Sequence, residues 1–405
     1  MDPDAVTQPS EFGAAAIALR TSVGPAWVVG SFADIPESLR RGAFAGHGED
    51  FRYYEVLEQT LRAQFDFRYL VLHDEASDGW AIQPLFFVDQ DMLAGLPRAI
   101  RALFGGIRKF GPRFLTLRMM MIGCAAGEGQ LDHAAPWVVA ALVEALDTYR
   151  AQARAFIILL KDFPSTYRAA LAPLAQAGYQ RAPSMPAASL ELDFGSFEEY
   201  MQDRLSKVFR KSLRRKFRDA QDGAAIEMEV VCDATPFVDE IFPLYLQTYQ
   251  RSDFKFEELN KDYFRLVGQR LPDRVRYFLW RREGRIVAFS LCLVHDGTLY
   301  DLAVGLDYAV ALELHLYFVT WRDVIQWSLE NGIKTYHTGP LNYDPKAHFK
   351  LKLAPLDLYA RAHSALLNPI FKLAIKYLEP TRHDPVLQRF PNAHELHGGE
   401  PTRVT

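Results

Sequence analysis

The sequence has few cysteines, no excess of positive charge and no long apolar run. Its three cysteines, Cys124, Cys232 and Cys292, are far apart, which fits neither a disulfide framework nor a zinc site. The formal net charge of −4 argues against a general nucleic-acid-binding protein. No apolar stretch approaches the roughly 18 to 20 residues that cross a bilayer, and the apolar run at 13–19 lacks the basic flank of a signal peptide. We therefore expect a cytoplasmic protein with no transmembrane segment, no metal site and no DNA partner.

The chain is long enough for two hydrophobic cores. It has 405 residues, of which 49% are hydrophobic and 13% are aromatic. Domains typically take about 100 to 200 residues each, so length and composition predict two or three domains.

The region 274–355 has the most regular pattern of predicted elements. They are strands at 275–280, 286–294 and 298–304, a helix at 310–331, a strand at 333–337, a short polar helix and a last strand. Glu283-Gly284 and Asp296-Gly297 form turns between the first three strands, which therefore pair antiparallel. The strand-helix-strand connection that follows favours parallel pairing of the third strand with the returning strand.

Two short motifs near the end of this region carry a family resemblance. The returning strand ends in Tyr336-His337-Thr338-Gly339, and Phe349-Lys350 follows, with Ala354 beyond it. The region resembles the Gcn5-related N-acetyltransferase (GNAT) superfamily, and more closely its Fem-type and peptidoglycan-biosynthesis-like branch. In that branch the strand reads aromatic, Asp, aromatic, Gly, and a Tyr-Lys pair and a Gly follow. Gly339 and Lys350 match, whereas His337 replaces an acid and Phe349 replaces a Tyr.

Members of this branch often carry two such domains in tandem, and residues 50–193 show a similar order of predicted elements. These are a helix at 51–65, strands at 67–73, 80–88 and 113–122, a long helix capped by Asp132 or His133 with Pro136 in its first turn, a strand at 155–160, a helix at 164–178 and a strand at 187–194. The resemblance implies an α/β (α+β) protein of two tandem GNAT-like domains. Each would be a mixed, mostly antiparallel sheet with a splayed parallel pair and flanking helices.

The predicted chain has five segments. They are an N-terminal extension at 1–49, a first GNAT-like domain at 50–200, a basic connecting helix at 201–223, a second GNAT-like domain at 224–363, and a C-terminal helix and tail at 364–405. The first domain is expected to be mainly architectural, because its return strand is apolar up to Lys161-Asp162. The C-terminal helix, at 365–378, is amphipathic with modest charge. Packing onto the second domain is its expected role, and peripheral membrane contact is the alternative.

The connecting helix is rich in positive charge. Eight of the fifteen residues at 204–218 are Lys or Arg, and Asp222-Gly223 is the predicted end of the helix. Its apolar residues recur at every fourth position: Leu205, Phe209, Leu213 and Phe217. Such a face is either merely solvated or a docking surface for a coenzyme phosphate, a tRNA acceptor end or anionic lipid headgroups. Because Arg contacts phosphate with two parallel N–H groups, three residues are the candidates for donor binding. They are Arg210, Arg214 and Arg215.

The GNAT fold binds its acyl donor between the two splayed strands, while the N-terminus of the long helix receives phosphate. The expected donor site is therefore the turn that contains Val304, Gly305 and Leu306. A typical acetyl-CoA site would have Arg or Gln and more than one small residue here, but only Gly305 is present, and Asp307 would repel a pyrophosphate. The donor is thus either an acyl-CoA such as acetyl-CoA, bound in an altered way, or an aminoacyl-tRNA, as Fem-type relatives use.

Three residues are candidates for proton transfer near the acyl carbon. His337, at the end of the returning strand, suits a general base at neutral pH, with a structural histidine as the alternative. Asp301 either accepts the amine proton through water or pairs with an Arg of the sheet. Tyr343 either protonates a leaving thiolate or lies in a surface loop. Lys350 and His315 are candidates for substrate binding, with an ion pair and simple packing as their respective alternatives.

These features predict an N-acyltransferase that forms an amide. The acceptor would be an amine-bearing small molecule, an amino sugar or a cell-wall precursor. A non-catalytic protein of the same fold that binds a ligand, acts as a scaffold or binds tRNA stays open as the alternative, and so does the oligomeric state.

Overall fold

The computed structural model describes residues 12–13, 15–91, 116–221, 225–252, 255–364 and 367–398. The described residues fall into two compact units, each built on one mixed sheet. The first unit takes its residues from 12–44, 62–184 and 357–382, and the second from 45–61, 185–356 and 383–398. Two mixed sheets with flanking helices confirm the predicted fold class.

The elements are numbered in chain order. The strands are β1 Ile17–Arg20, β2 Pro25–Val29, β3 Asp66–Asp74, β4 Gly79–Asp91, β5 Thr116–Ile122, β6 Ile157–Pro164, β7 Gln180–Pro183, β8 Ala187–Glu191, β9 Ile226–Val231, β10 Val275–Arg282, β11 Arg285–His295, β12 Thr298–Leu306, β13 Thr335–Thr338, β14 Lys352–Ala354 and β15 Leu356–Ala362. The helices are α1 Glu37–Arg40, α2 Phe51–Leu61, α3 Pro136–Ala153, α4 Phe197–Arg204, α5 Lys207–Asp219, α6 Val238–Arg251, α7 Lys261–Arg270, α8 Leu316–Glu330, α9 Tyr343–His348 and α10 Asn368–Leu378.

The first sheet has the strand order β1-β2-β3-β4-β5-β6-β15-β7. β1 to β5 pair antiparallel in sequence, and β5 and β6 form the parallel pair. Val138, Leu142 and Leu146 of α3 are buried in the core of this sheet. β1 and β2 lie within the segment that was expected to be an N-terminal extension, so that segment supplies two strands.

Two predictions for this unit were wrong. Neither Asp132 nor His133 caps α3, whose N-cap is Ala135. Asp132 instead accepts hydrogen bonds from the backbone N–H groups of Phe44 and Ile82. The helix predicted at 164–178 is replaced by short 3-10 turns at 165–167 and 172–175, because Pro173 cannot donate the hydrogen bond that a continuous helix requires.

The second sheet has the strand order β14-β8-β13-β12-β11-β10-β9. β9 to β12 form an antiparallel meander, and β12 and β13 form the predicted parallel pair. Val319, Trp321 and Ile325 of α8 are buried in the core of this sheet. α8 begins at Leu316 and not at 310, because residues 308–315 form successive turns. Leu312, whose spacing suggested a helix, is 86% exposed.

Two strands, β8 and β15, belong to a different sheet from the one that their neighbours in the sequence suggest. β8, expected as the last strand of the first domain, lies between β13 and β14 in the second sheet. β15 follows β14 after a single residue but pairs with β7 in the first sheet. Each compact unit therefore takes residues from several stretches of the chain, which differs from the contiguous division expected. Alternating apolar residues predict a strand but do not specify its partner.

The predicted connecting helix is two helices in the structure. α4 ends at Arg204 and α5 begins at Lys207, with the Ser206 hydroxyl accepting a hydrogen bond from the Phe209 N–H as N-cap. The predicted helix end at Asp222-Gly223 lies outside the described residues, as do 113–115 of a predicted strand and 365–366 of the C-terminal helix. Within the described ranges, no helix is both long and apolar enough to cross a bilayer.

Candidate functional site

The parallel pair of the second sheet separates partway along its length. β12 and β13 pair over four residues of each strand, and the last pair is Asp301 with Thr338. β13 ends there, whereas β12 continues to Leu306. We call the space beside β12 beyond this last pair the second-sheet gap. It is the feature that the resemblance predicts between splayed strands.

A β-bulge accompanies the separation. Cys292 on β11 pairs with Asp301, and Leu291 pairs with Ala303, so Leu302 is an extra residue on β12. A bulge increases the local twist of a strand and re-aims its side chains. Leu302, Ala303 and the next residue are half-buried and not fully enclosed. The first residues of β12 beyond the last pair are therefore only partly covered, whereas Gly305 and Leu306 are buried.

Asp301 lies at the closed end of the gap and is held by two hydroxyl groups. The Ser290 hydroxyl donates to its Oδ1 at 2.6 Å, and the Tyr336 hydroxyl donates to its Oδ2 at 2.7 Å. Burial raises the pKa of the Asp301 carboxyl group, and these two hydrogen bonds oppose that rise. Burial also raises the pKa of the Tyr336 hydroxyl well above its usual value, which keeps it protonated as a donor.

Lys346 of α9 is the buried cation of the same site. Its side chain is 7% exposed, and its Nζ donates to the carbonyl oxygen of Gly339 at 2.5 Å. Burial lowers the pKa of Lys346 to about 8, and attraction to Asp301 opposes this change. An amine with such a pKa exchanges protons near neutral pH. Ser290, Asp301, Tyr336 and Lys346 are called the Asp301 cluster below.

His337 lies on the opposite face of the sheet from Asp301. Side chains alternate along a strand, so Tyr336 and His337 point to different faces of β13. The Tyr336 hydroxyl reaches Asp301, whereas the His337 ring packs against Tyr300 at a centroid distance of 5.4 Å. The structure thus brings Tyr336, and not His337, to the predicted Asp301.

Gly305 belongs to β12 and is required by packing. A Cβ atom at this position would lie 2.7 Å from the backbone N of Tyr245 and 2.8 Å from the carbonyl carbon of Leu244, both in α6. The backbone of α6 therefore packs directly against this strand. This contact accounts for the glycine without a phosphate group.

The turn after β12 uses its backbone N–H groups within the protein. The Leu306 N–H donates to the Thr248 hydroxyl at 3.3 Å, and the Tyr308 N–H donates to Oε1 of Gln247 at 3.1 Å. Asp307 donates its own N–H to the Val287 carbonyl oxygen. The Asp307 carboxylate forms an ion pair with Arg285 and accepts the Ala309 N–H. A pyrophosphate at this turn would have to displace these bonds.

The three predicted arginines of α5 differ in their surroundings. Nη1 of Arg210 donates to the carbonyl oxygens of Gln202 and Leu205, at 2.6 and 3.1 Å. This residue therefore supplies hydrogen bonds to carbonyl groups at the C-terminal end of α4, which have no partner within the helix. Arg214 forms an ion pair with Glu198. Arg215 is exposed. Of the three, Arg215 has the surroundings that suit an external anion best.

The remaining predicted residues are spread over the second unit. Tyr343 is buried and its hydroxyl donates to the Pro186 carbonyl oxygen at 2.8 Å, so a role as a proton donor requires this bond to break. Lys350 is exposed and has a left-handed backbone with φ of 61°. His315 precedes α8, with its Nε2 3.8 Å from a carboxylate oxygen of Asp219. Burial, and the nearby Lys216, lower the pKa of His315.

Asp301 was predicted as a site residue, but its partners were not. Tyr336 was read only as part of a motif, and Ser290 only as part of a strand. Lys346 lies in a short polar helix, where lysine is normally exposed, and its burial depends on the left-handed residues Leu341 and Asn342 that turn the chain before α9. Within the described ranges, no group of three or more His, Cys, Asp or Glu residues could hold a metal ion.

The chain is similar to one protein family and to several solved structures. Residues 207–351 match the acetyltransferase (GNAT) domain family, whereas no curated protein matches the chain. Among solved structures, FemX has a TM-score of 0.51 at 11% identity, over 79% of this chain and 93% of FemX. L-PGS from Bacillus licheniformis has a TM-score of 0.48 at 12% identity, over 82% and 97% of the two chains. A tandem GNAT protein from the clavulanic acid biosynthesis pathway has a TM-score of 0.42 at 11% identity, over 78% and 88%.

The family match and the strand gap define the class of the second unit. Residues 207–351 form a GNAT domain. The likeness to FemX concerns the fold alone, and it extends over most of the chain. The protein is therefore a tandem GNAT-fold protein of Fem-like architecture, which confirms the resemblance predicted from the sequence.

Proposed function

We propose that the second unit transfers an acyl or aminoacyl group from an activated thioester or ester to an amine, and that the acyl carbon lies in the second-sheet gap. The observation that carries this proposal is the end of parallel pairing at Asp301 and Thr338, where the half-buried carboxyl group of Asp301 is held by two hydroxyl groups. Amide formation needs the reacting atoms held together and a route for the amine proton. The gap supports the first requirement, and the Asp301 cluster supports the second.

In the proposed reaction the amine nitrogen attacks the acyl carbon. A C–N bond forms, and the C–S or C–O bond to the donor breaks. Asp301 accepts the proton that the amine loses, directly or through one water, and the leaving group takes up a proton from solvent. The raised pKa of Asp301 makes its carboxylate a stronger base than an exposed aspartate. Lys346 balances its negative charge, and the hydroxyl groups of Ser290 and Tyr336 fix its orientation.

The turn after β12 supports an aminoacyl-tRNA as the donor over acetyl-CoA. Its N–H groups already bond to protein acceptors, and the carboxylate of Asp307 would repel a pyrophosphate. α5 offers exposed cations to a polyanion, namely Lys207, Lys211, Arg215 and Arg218. The proposed acceptors are an amine-bearing metabolite, an amino sugar and a cell-wall precursor.

The experiment combines donor binding with detection of the product. The purified chain is incubated with aminoacyl-tRNAs, acetyl-CoA or longer acyl-CoAs, each with a panel of amines, and amide products are identified by mass spectrometry. We expect an amide with an aminoacyl-tRNA, and thermal stabilisation by that donor. The Asp301→Asn variant is expected to keep the stabilisation and lose the product.

Three outcomes contradict parts of the proposal. Product from acetyl-CoA alone would overturn the proposed donor. Equal binding of aminoacylated and deacylated tRNA, with a steep salt dependence and no amide, would indicate a tRNA-binding module. Donor binding with no amide from any donor, in the unaltered chain and in Asp301→Asn alike, would indicate a ligand-binding protein or scaffold.

A further inference from the structure

Three helices of the second unit, α4, α5 and α8, line a cavity of about 500 Å³. α4 contributes Phe197 and Met201, α5 contributes Phe217 and Arg218, and α8 contributes Arg322. A cavity of this size is in the range of small-ligand sites. None of its described lining residues belongs to the Asp301 cluster or to the strands at the second-sheet gap. We call this space the three-helix cavity.

One wall of the three-helix cavity is flat and aromatic. Phe197 and Met201 are only 5% and 4% exposed, whereas Phe217 is half-buried and offers more of its ring to a ligand. Cζ of Arg322 lies over this ring, 4.8 Å from its centroid. Nε of Arg322 donates to Oδ1 of Asp323 at 2.7 Å, which fixes the guanidinium group. Aromatic rings and guanidinium planes are the surfaces on which nucleobases stack.

The three-helix cavity has an excess of positive charge. Three arginines and two acids line it. Arg214 forms an ion pair with Glu198, and Arg322 forms one with Asp323. Arg218 is exposed, and its guanidinium group makes no hydrogen bond or ion pair with any residue of the described ranges. One cation is therefore left to bind an anionic ligand.

We propose that the three-helix cavity binds a nucleoside monophosphate. The base lies against Phe217 and Arg322, and the phosphate lies against Arg214 and Arg218, which are one turn apart on α5. A terminal phosphate has more acceptor oxygens than a carboxylate, so it can bond to both arginines. Sharing Arg214 with the half-exposed Glu198 costs little, because such ion pairs are weak. An acyl chain suits the cavity less, because it needs a longer apolar groove than one half-buried ring supplies.

The test is calorimetric titration of the full chain with AMP, adenosine, inorganic phosphate and benzoate. We expect the Kd for AMP to be at least about tenfold lower than that for any other probe, because only AMP contacts the flat wall and both arginines. Arg218→Gln should raise the Kd for AMP by about tenfold, because a charge-assisted contact to the phosphate is lost. Phe217→Leu should raise it by about tenfold as well, because the base loses its stacking surface.

Arg270→Gln is the matched control, because Arg270 is an exposed arginine of the same unit that does not line the cavity. It should leave the Kd for AMP unchanged. Circular dichroism checks the fold of each variant, and Arg218→Gln keeps the test decisive if Phe217→Leu unfolds. No amine or activated ester is present, so the outcome is independent of the proposed reaction. Three results would overturn the proposal: binding of AMP no tighter than that of phosphate or benzoate, equal loss in Arg270→Gln, or an unchanged Kd in Arg218→Gln.

A competition experiment distinguishes the two sources of such a ligand, a free nucleotide and the end of a tRNA. The chain is loaded with AMP and titrated with deacylated tRNA, either intact or without its 3′-terminal nucleotide. Displacement of AMP by the intact tRNA alone would identify the tRNA end as the occupant of the three-helix cavity. Without that difference, the free nucleotide is the ligand.

Discussion

The two parallel strand pairs of this protein have the same position in their sheets but different surroundings. In the second sheet, β12 continues past its last pair with β13, and its next three residues are half-buried. In the first sheet, β6 continues past the last pair, Ile122 with Leu160, but a loop at 123–131 lies along it. The Gly129 N–H donates to the carbonyl oxygen of Asp162 at 2.9 Å. The first gap is therefore filled by the chain itself.

A lysine near each gap shows the same difference. Nζ of Lys161 donates to the carbonyl oxygen of Gly127 at 3.2 Å, so this lysine holds the filling loop. Nζ of Lys346 donates to the carbonyl oxygen of Gly339, and Lys346 interacts electrostatically with the half-buried carboxyl group of Asp301. Lys161 thus helps to close the first gap, whereas Lys346 places a positive charge near the carboxyl group at the second gap. The comparison supports the proposal that the second unit carries the reaction and that the first is mainly architectural.

The largest expected effect is on the rate of acyl transfer. It should appear when an aspartate at the second gap is changed, and not when one at the first gap is changed. Asp301→Asn keeps the shape of the side chain but removes the base, so kcat should fall by about 10²-fold to 10⁴-fold. Asp162→Asn is the matched change in the first unit and should leave kcat within about twofold. Single-turnover rates of amide formation measure both. Equal loss in the two variants would show that the first gap also takes part in the reaction.

A second prediction concerns the pH dependence of stability. The pKa of Lys346 is about 8 in the folded protein and close to the usual lysine value, roughly 10.4, in the unfolded chain. Between these values the unfolded chain binds more protons at this lysine, so Lys346 should contribute a rise in the free energy of unfolding of about 1 kcal/mol per pH unit above pH 8. The buried Cys292 thiol, whose pKa is raised by burial, contributes with the opposite sign as the unfolded thiol ionises. Urea unfolding at pH 7.5, 8.5 and 9.5 measures this slope.

Two lysine variants make the pH prediction specific to the second gap. The slope of Lys346→Met should be lower than that of the unaltered chain by about 1 kcal/mol per pH unit, because the titrating lysine is gone while Cys292 is still present. Lys161→Met should keep the slope of the unaltered chain, because Lys346 is still present. The measurements stop near pH 9.5, since buried tyrosines such as Tyr336 have a raised pKa and contribute with the opposite sign above that pH. A slope that survives in Lys346→Met would show that another group causes it.

Alanine substitutions at Gly129 and Gly305 test whether the structure around each gap depends on close packing of the backbone. A Cβ atom at Gly129 would lie 2.3 Å from the carbonyl oxygen of Lys161, and one at Gly305 would lie 2.7 Å from the backbone N of Tyr245. Alanine at either position should destabilise the protein by about 1–3 kcal/mol in chemical unfolding. Gly30→Ala is the control, because a Cβ atom there meets nothing within 4 Å. A Gly305→Ala variant of unaltered stability that no longer binds the donor would instead support a phosphate-binding role.

The same comparison shows what the sequence could predict. The β10–β11 hairpin follows from local alternation and the turn at Glu283-Gly284, and its observed bounds differ little from those predicted. The placement of β8 in the second sheet depends on pairing with residues far along the chain, which no local pattern encodes. His337 was predicted as a general base because histidine suits that role at neutral pH, whereas Tyr336 was not predicted to take part. Only the register of β12 with β13 shows which of the two faces Asp301.

The smallest expected effects distinguish the arginines of α5. Arg210→Ala should cost about 1–2 kcal/mol of stability, because its guanidinium bonds to carbonyl oxygens at the end of α4. Arg214→Ala should cost about 0–1 kcal/mol, since its partner Glu198 is half exposed. Arg215→Ala should leave stability within about 0.5 kcal/mol and weaken tRNA binding. Urea unfolding and tRNA titrations at two salt concentrations measure these effects. If Arg210→Ala left stability unchanged and weakened tRNA binding most, Arg210 would contact the ligand and would not serve α4.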